Sequence, residues 1–205
     1  MNRIICSALA SLGVLLGLSV APASAEAQPK NTTCNGTLEA GTFKNVRVAA
    51  DADCFVGPEV TITGNFFAVK SPGVINVNTD IGRNFIVAGA TGSVTFGPEG
   101  CRVDPHVGNN LIVRNSNNVA ICQATVDNNI MLRNNTGRLM LRDSVACNNI
   151  KVVRNDLQAL RVLRNVRAVN FTVERNDVQN TTRIEGNTKF AGSPQECRTS
   201  IAPAA

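Results

Sequence analysis

Apolar residues in this chain alternate with polar ones in short bursts, and the bursts repeat. Leu111 and Val113, Ile130 and Leu132, Ile150 and Val152, and Phe171 and Val173 each flank one intervening residue. Period-two alternation over so short a run predicts a half-buried strand, not a helical turn. Each burst is followed by polar turn residues and a second alternating run, as in Val119-Ala120-Ile121, Leu139-Met140-Leu141 and Leu160-Arg161-Val162-Leu163. An Asn opens each burst, at positions 65, 84, 110, 129, 149 and 170, so the steps are 19, 26, 19, 20 and 21 residues. A near-constant period in this range is the signature of a solenoid. Two or three short strands per ~20 residues wind into a coil that cannot bury its apolar face alone and must stack on its neighbours. The pattern therefore predicts an all-β chain: a single right-handed parallel β-helix of about seven coils over residues ~35–190, without a substantial helix.

Asparagine fits the corners, because its side chain tolerates the left-handed region and bonds nearby backbone. Stacked at 129, 149 and 170 it can also form an amide ladder along the solenoid. The long step between Asn84 and Asn110 predicts an insertion running from Gly97 through Cys101 to His106. The ends depart from the repeat, as capping units do: residues 30–60 carry two Cys, and the tail beyond Asn187 loses the alternation. A four-sided pentapeptide helix also has coils of ~20 residues. Leu111, Ile121 and Val126 fit its strict period of five, whereas Ser116 and the step to Ile130 break it.

The first 25 residues read as a secretory signal peptide. Arg3 begins it, an apolar stretch follows to Val20, and Ala23-Ser24-Ala25 is the small-x-small cleavage site. The expected organisation is then signal peptide 1–25, β-helix domain 26–190 and C-terminal tail 191–205, in the cell envelope or outside the cell. No second long apolar run follows, so no transmembrane segment is expected after cleavage. Residues 26–205 contain 24 Asn and neither Tyr nor Trp. Charge is unevenly distributed: residues 26–101 carry 5 basic and 7 acidic groups, residues 102–184 carry 12 and 6. The second half is the basic one. No Gly-rich phosphate loop is present, so no nucleotide is expected.

Six cysteines follow the signal: Cys34, Cys54, Cys101, Cys122, Cys147 and Cys197. An even count in an exported chain points to disulfides, with fifteen formal pairings. Cys34 and Cys54 lie 20 residues apart and Cys101 and Cys122 lie 21 apart, close to one coil. Stacked coils bring equivalent Cα atoms to ~4.8 Å, inside the disulfide range. Elimination then leaves Cys147 with Cys197, a pairing less constrained than the first. A metal site has little support, since no C-x-x-C occurs and His106 is the only histidine. No cofactor is expected.

Phrases such as Asn109-Asn110-Leu111, Asn128-Asn129-Ile130 and Asn148-Asn149-Ile150, a Cys pair about 20 residues apart at the start, and a short Cys-containing tail together resemble a group of exported bacterial proteins. Those proteins are abundant in actinobacteria and built from Val-x-Gly-Asn-Val or Asn-Asn-Ile repeats. The resemblance covers most of the chain after the signal and implies a right-handed β-helix. It implies no activity. This chain departs from the group in placing Asn, and often Arg, where the others use Gly and small residues.

Four arginines, Arg114, Arg133, Arg154 and Arg175, stand directly before Asn in four successive phrases. If stacked, they would form a column of guanidinium groups at ~4.8 Å steps. Like charges side by side need carboxylate partners or an anionic ligand, and the acids nearby are few. A regular cationic strip suits an acidic glycan or another polyanion; without Tyr or Trp it lacks the stacking platforms of single-strand nucleic-acid binders. The expectation is a non-catalytic solenoid with a structural or binding role. The alternative is a polysaccharide lyase or hydrolase centred on Asp156 and Asp177, 21 residues apart in Arg-Asn-Asp triplets.

Overall fold

A computed structural model describes residues 28–97, 104–167 and 169–201. The expected signal peptide, residues 1–25, and Cys101 lie outside the described residues. The chain winds into a parallel β-solenoid of about seven turns, spaced roughly 20 residues apart. Its coils have three sides. The first face is a sheet of nine strands that includes Gly41–Val48, Phe66–Val69, Phe85–Ala88, Leu111–Arg114, Ile130–Arg133, Asn149–Val153 and Asn170–Glu174. The second has eight strands, from Gly36–Leu38 to Asp177–Glu185, and the third five short ones, from His106–Val107 to Thr188–Lys189. Every pairing is parallel, as winding in one direction requires.

Alternate residues point inward and stack into continuous columns. On the first face Phe66, Phe85, Leu111 and Ile130 align with Ile150 and Phe171. The Phe66 and Phe85 rings stack at 5.2 Å, and Phe85 meets Phe96 of the second face at 4.7 Å. Nearly all of these side chains are fully buried, forming one core along the axis. Second-face strands lengthen along the chain, from three residues at Cys54–Val56 to nine at Asp177–Glu185. Bulges at Asn118, Gln158 and Gln179-Asn180 absorb the extra residues.

Asparagine ladders hold the corners. Where the third face turns into the first, Asn31, Asn45, Asn65, Asn84, Asn110, Asn129, Asn149 and Asn170 form one chain. Each Nδ2 donates to the Oδ1 of the preceding coil at 2.8 to 3.2 Å. The predicted ladder at 129, 149 and 170 is thus part of a longer one. A second kind of ladder is buried: Oδ1 of Asn135, Asn155 and Asn176 each accepts the backbone N–H one coil earlier. Asn165 and Asn187 do the same at the turn from the second face into the third. These amides satisfy backbone groups that water cannot reach.

The Cys34–Cys54 and Cys147–Cys197 disulfides are both present. Cys122 is disulfide-bonded. The expected Cys101–Cys122 pair falls on Cys101, outside the described residues. The predicted insertion ends earlier than the spacing suggested: His106–Val107 is already a third-face strand, paired with Thr125–Val126, and Val107 also bridges Ile81. The tail holds a helix, Pro194–Ile201. Ser193 and Glu196 cap it reciprocally, with Pro194 at the first helical position. Cys197 and Arg198, whose Nε donates to the Asp127 carbonyl at 2.9 Å, fasten this helix to the flank of the solenoid. Among the described residues, no helix is long and apolar enough to cross a membrane.

Candidate functional site

The four arginines do not form one column. Arg114 and Arg133 are cross-strand partners on the first face, but Arg133 next aligns with Val153, and Val153 with Glu174. Arg154 and Arg175 sit one position later, at the turn out of that face. The cause lies in the corner backbone. From Phe66 onward, each coil leaves the first face through one residue of positive φ, filled in turn by Lys70, Gly89, Asn115, Asn134, Arg154 and Arg175. The next residue points inward: Ser71, Ala90, Ser116, Asn135, Asn155, Asn176. The Arg-Asn dipeptide therefore has two meanings here. In Arg114-Asn115 and Arg133-Asn134 the Asn takes the left-handed turn; in Arg154-Asn155 and Arg175-Asn176 the Arg does, and the Asn is the ladder residue. One extra strand residue, Val153, separates the two cases.

A basic corner nevertheless results. Two staggered pairs of arginines replace the straight column, occupying adjacent positions on four successive coils. Lys70 lies at the same corner two coils before Arg114. Arg133, Lys151, Arg154 and Arg175 line one groove with Met131, Val153, Thr172 and Glu174. Lys151 went unnoticed in the sequence, although its outward parity beside inward Ile150 and Val152 placed it on this face.

Among the described residues, none of the four arginines makes an ion pair. Glu174, Asp156 and Asp177, the acids nearest in sequence, form no ion pair with them, although Glu174 lines the same groove. The Arg133 Nε is shielded from water and has no hydrogen-bond partner. Acids do pair with arginines at the second corner, where Arg164 donates through Nε and Nη2 to both Asp143 oxygens at 2.7 Å. That bond, with Arg164 and Arg142 charge nearby, holds the Asp143 carboxyl below its ordinary range despite partial burial. Arginines at this corner thus share a carboxylate partner, whereas, among the described residues, those at the first corner have none within ion-pair distance.

Asp156 and Asp177 are cross-strand partners, as the 21-residue step predicted, and both are exposed. They lie at the start of the second-face strands, aligned with Thr136, outside the groove of the basic corner. His106 Nε2 contacts Asp127 Oδ1 at 2.7 Å, and its backbone N–H donates to Asp80 Oδ1 at 2.7 Å. Among the described residues, no group of three or more His, Cys, Asp or Glu side chains gathers to hold a metal ion. A broad second-face groove is lined by Asn118, Arg138, Met140, Gln158, Arg161 and Asn180, several of them at the bulges. Comparison with known protein families, curated proteins and solved structures finds nothing that matches this chain.

Proposed function

We propose that this protein is an exported, non-catalytic β-solenoid of the cell envelope or extracellular space, where it binds a repetitive polyanion, most naturally an acidic glycan. The ligand lies along the corner carrying Arg114, Arg133, Arg154 and Arg175, with Lys151 beside them. One observation carries this reading: four successive coils present arginines without ion pairs, and one of them has a shielded, unpartnered Nε. A charged nitrogen withdrawn from water and left without an acceptor is costly. An anionic ligand at that groove would offset the charge of the guanidinium to which that nitrogen belongs. The coil repeat matches a repeating partner, because each coil step of ~4.8 Å offers another cation.

Export rests on the signal-type start, with its Ala23-Ser24-Ala25 cleavage site, and on disulfides, which suit an oxidising compartment. The resemblance to exported bacterial solenoids with Asn-Asn-Ile repeats points the same way. The protein should be retained by immobilised heparin or acidic glycan at low salt and released as salt rises, leaving the polymer uncut. Arg133→Gln with Arg154→Gln should weaken retention. Indifference to every polyanion at low ionic strength would leave a purely structural scaffold. Glycan cleavage lost in Asp156→Asn would instead establish the enzyme reading, which the pairing of Asp156 with Asp177 keeps specific.

A further inference from the structure

The last coil, residues 169–189, is built to be covered, and no described residue stacks beyond it. Its three strands, Asn170–Glu174, Asp177–Glu185 and Thr188–Lys189, end the three sheets. Among the described residues, each presents an unpaired edge of main-chain donors and acceptors. Side chains that continue the buried columns emerge here: Phe171 and Val173 are half-buried, and Ile184, which follows Val162 in register, is 44% exposed. In earlier coils the backbone N–H of Asn155 and Asn165 donates to the Asn of the next coil. For Asn176 and Asn187 no further strand follows among the described residues. The inward column Val107, Val126 and Ala146 passes into Arg167 and Lys189. Arg167 lies over the Phe171 ring at 5.4 Å with Nε and Nη1 shielded and unpartnered. The tail helix does not close this end, because Cys197 and Arg198 tie it back to Cys147 and Asp127 on the flank.

We propose that a second copy of this chain covers this end, forming a two-fold dimer in which the last coils stack face to face. Charge selects that occupant. The last coil carries Glu174, Asp177 and Glu185 against Arg175, Arg183 and Lys189, and is neutral within a strongly basic half. Two such ends meet without net repulsion. Charge also selects the register. A two-fold axis through Asn180 sets the Asp177–Glu185 strand antiparallel to its copy, with Asp177 facing Arg183 twice. The same axis places inward Val178 opposite inward Thr182. It also sets the first-face strand Asn170–Glu174 against the third-face strand Thr188–Lys189, since Thr172 and Thr188 lie eight residues either side of Asn180. An axis one residue later would put Asp177 against Glu185, like against like. Such a contact is isologous and closes on itself, so it stops at two copies.

Sedimentation velocity of the disulfide-bonded protein tests this. The wild type should sediment at twice the mass of one chain. Ile184→Arg, at an exposed edge position, should weaken the dimer tenfold or more by burying an unpaired cation in each half of the contact, with the circular dichroism spectrum unchanged. Asp177→Arg and Arg183→Asp should each weaken it alone, and mixing the two variants should restore a heterodimer at wild-type strength. A monomeric wild type overturns the proposal. So does a dimer indifferent to both Ile184→Arg and Asp177→Arg, or growth into long polymers, which would mean head-to-tail stacking.

Discussion

Asn155→Ala should destabilise the solenoid far more than an alanine at an outer Asn, and the structure fixes the size of the difference. Asn155 is 2% exposed. Its Oδ1 accepts the Asn135 N–H at 2.8 Å, and its Nδ2 donates to Asn176 Oδ1 at 2.7 Å and to the Leu132 carbonyl at 3.3 Å. Alanine leaves the buried Asn135 N–H without an acceptor, which costs ~1–3 kcal/mol, and removes side-chain bonds worth ~1 kcal/mol each. Asn176 Oδ1 keeps the bond from the Asn155 backbone at 3.0 Å, so the damage is limited. The sum is about 3–5 kcal/mol, a large share of the ~5–15 kcal/mol that keeps a domain folded. Asn149 also donates and accepts one ladder bond, both at 2.8 Å, but it is half-exposed and water replaces what alanine removes. Its loss should cost about 1 kcal/mol or less. Urea unfolding followed by far-ultraviolet circular dichroism measures both, since there is no Trp or Tyr to report by fluorescence. Equal midpoint shifts for the two variants would refute the distinction between structural and peripheral ladders.

Replacing Cys34 and Cys54 by Ser opens a 20-residue link and should lower unfolding stability by about 3 kcal/mol in the same urea experiment. Cys197→Ser should free the tail helix from the flank, so that trypsin cuts after Arg198 sooner than in the wild type, while the solenoid resists as before. Because Arg164 holds the Asp143 carboxyl below its ordinary range, this pair stabilises the fold above the unfolded carboxylate value of ~3.9. That contribution is lost as pH falls through ~3.9 toward the lower folded value. Asp143→Asn should therefore flatten the acid limb of stability against pH, by a small amount since both partners are partly exposed.

The coil period, the strand alternation and the outer Asn ladder were legible because each depends on side-chain type at fixed spacing. The arginine geometry was legible only in part. Counting between Arg-Asn dipeptides gives steps of 19, 21 and 21 residues, all close to one coil, yet Ile130-Met131-Leu132 and Ile150-Lys151-Val152-Val153 differ by one residue, and that residue moves Arg154 from the strand into the turn. A left-handed Arg is uncommon for its steric cost, and only the buried bonds of the following Asn make it favourable. That dependence is tertiary, so dipeptide spacing does not show it. The tail helix was within reach: Ser193-Pro194-Gln195-Glu196 is a capping box with Pro at its first turn. It lies beyond Asn187, outside the alternation that marks the coils. The open final coil had a faint trace in Thr182 and Lys189, polar residues at positions that are apolar in earlier coils.

The central claim is that the unpaired arginine corner binds a polyanion, and the salt dependence of heparin binding tests it most directly. The affinity of a polyanion for a row of cations falls linearly with salt on a double-logarithmic scale, with a slope set by the number of charges engaged. Affinity should be measured at several salt concentrations for the wild type and for Arg114→Gln, Arg133→Gln, Arg154→Gln and Arg175→Gln combined. The account predicts tight binding at low salt with a steep slope for the wild type. The fourfold variant should bind more weakly and with a shallower slope, its circular dichroism unchanged. Equal affinity and equal slope in the two proteins would contradict it.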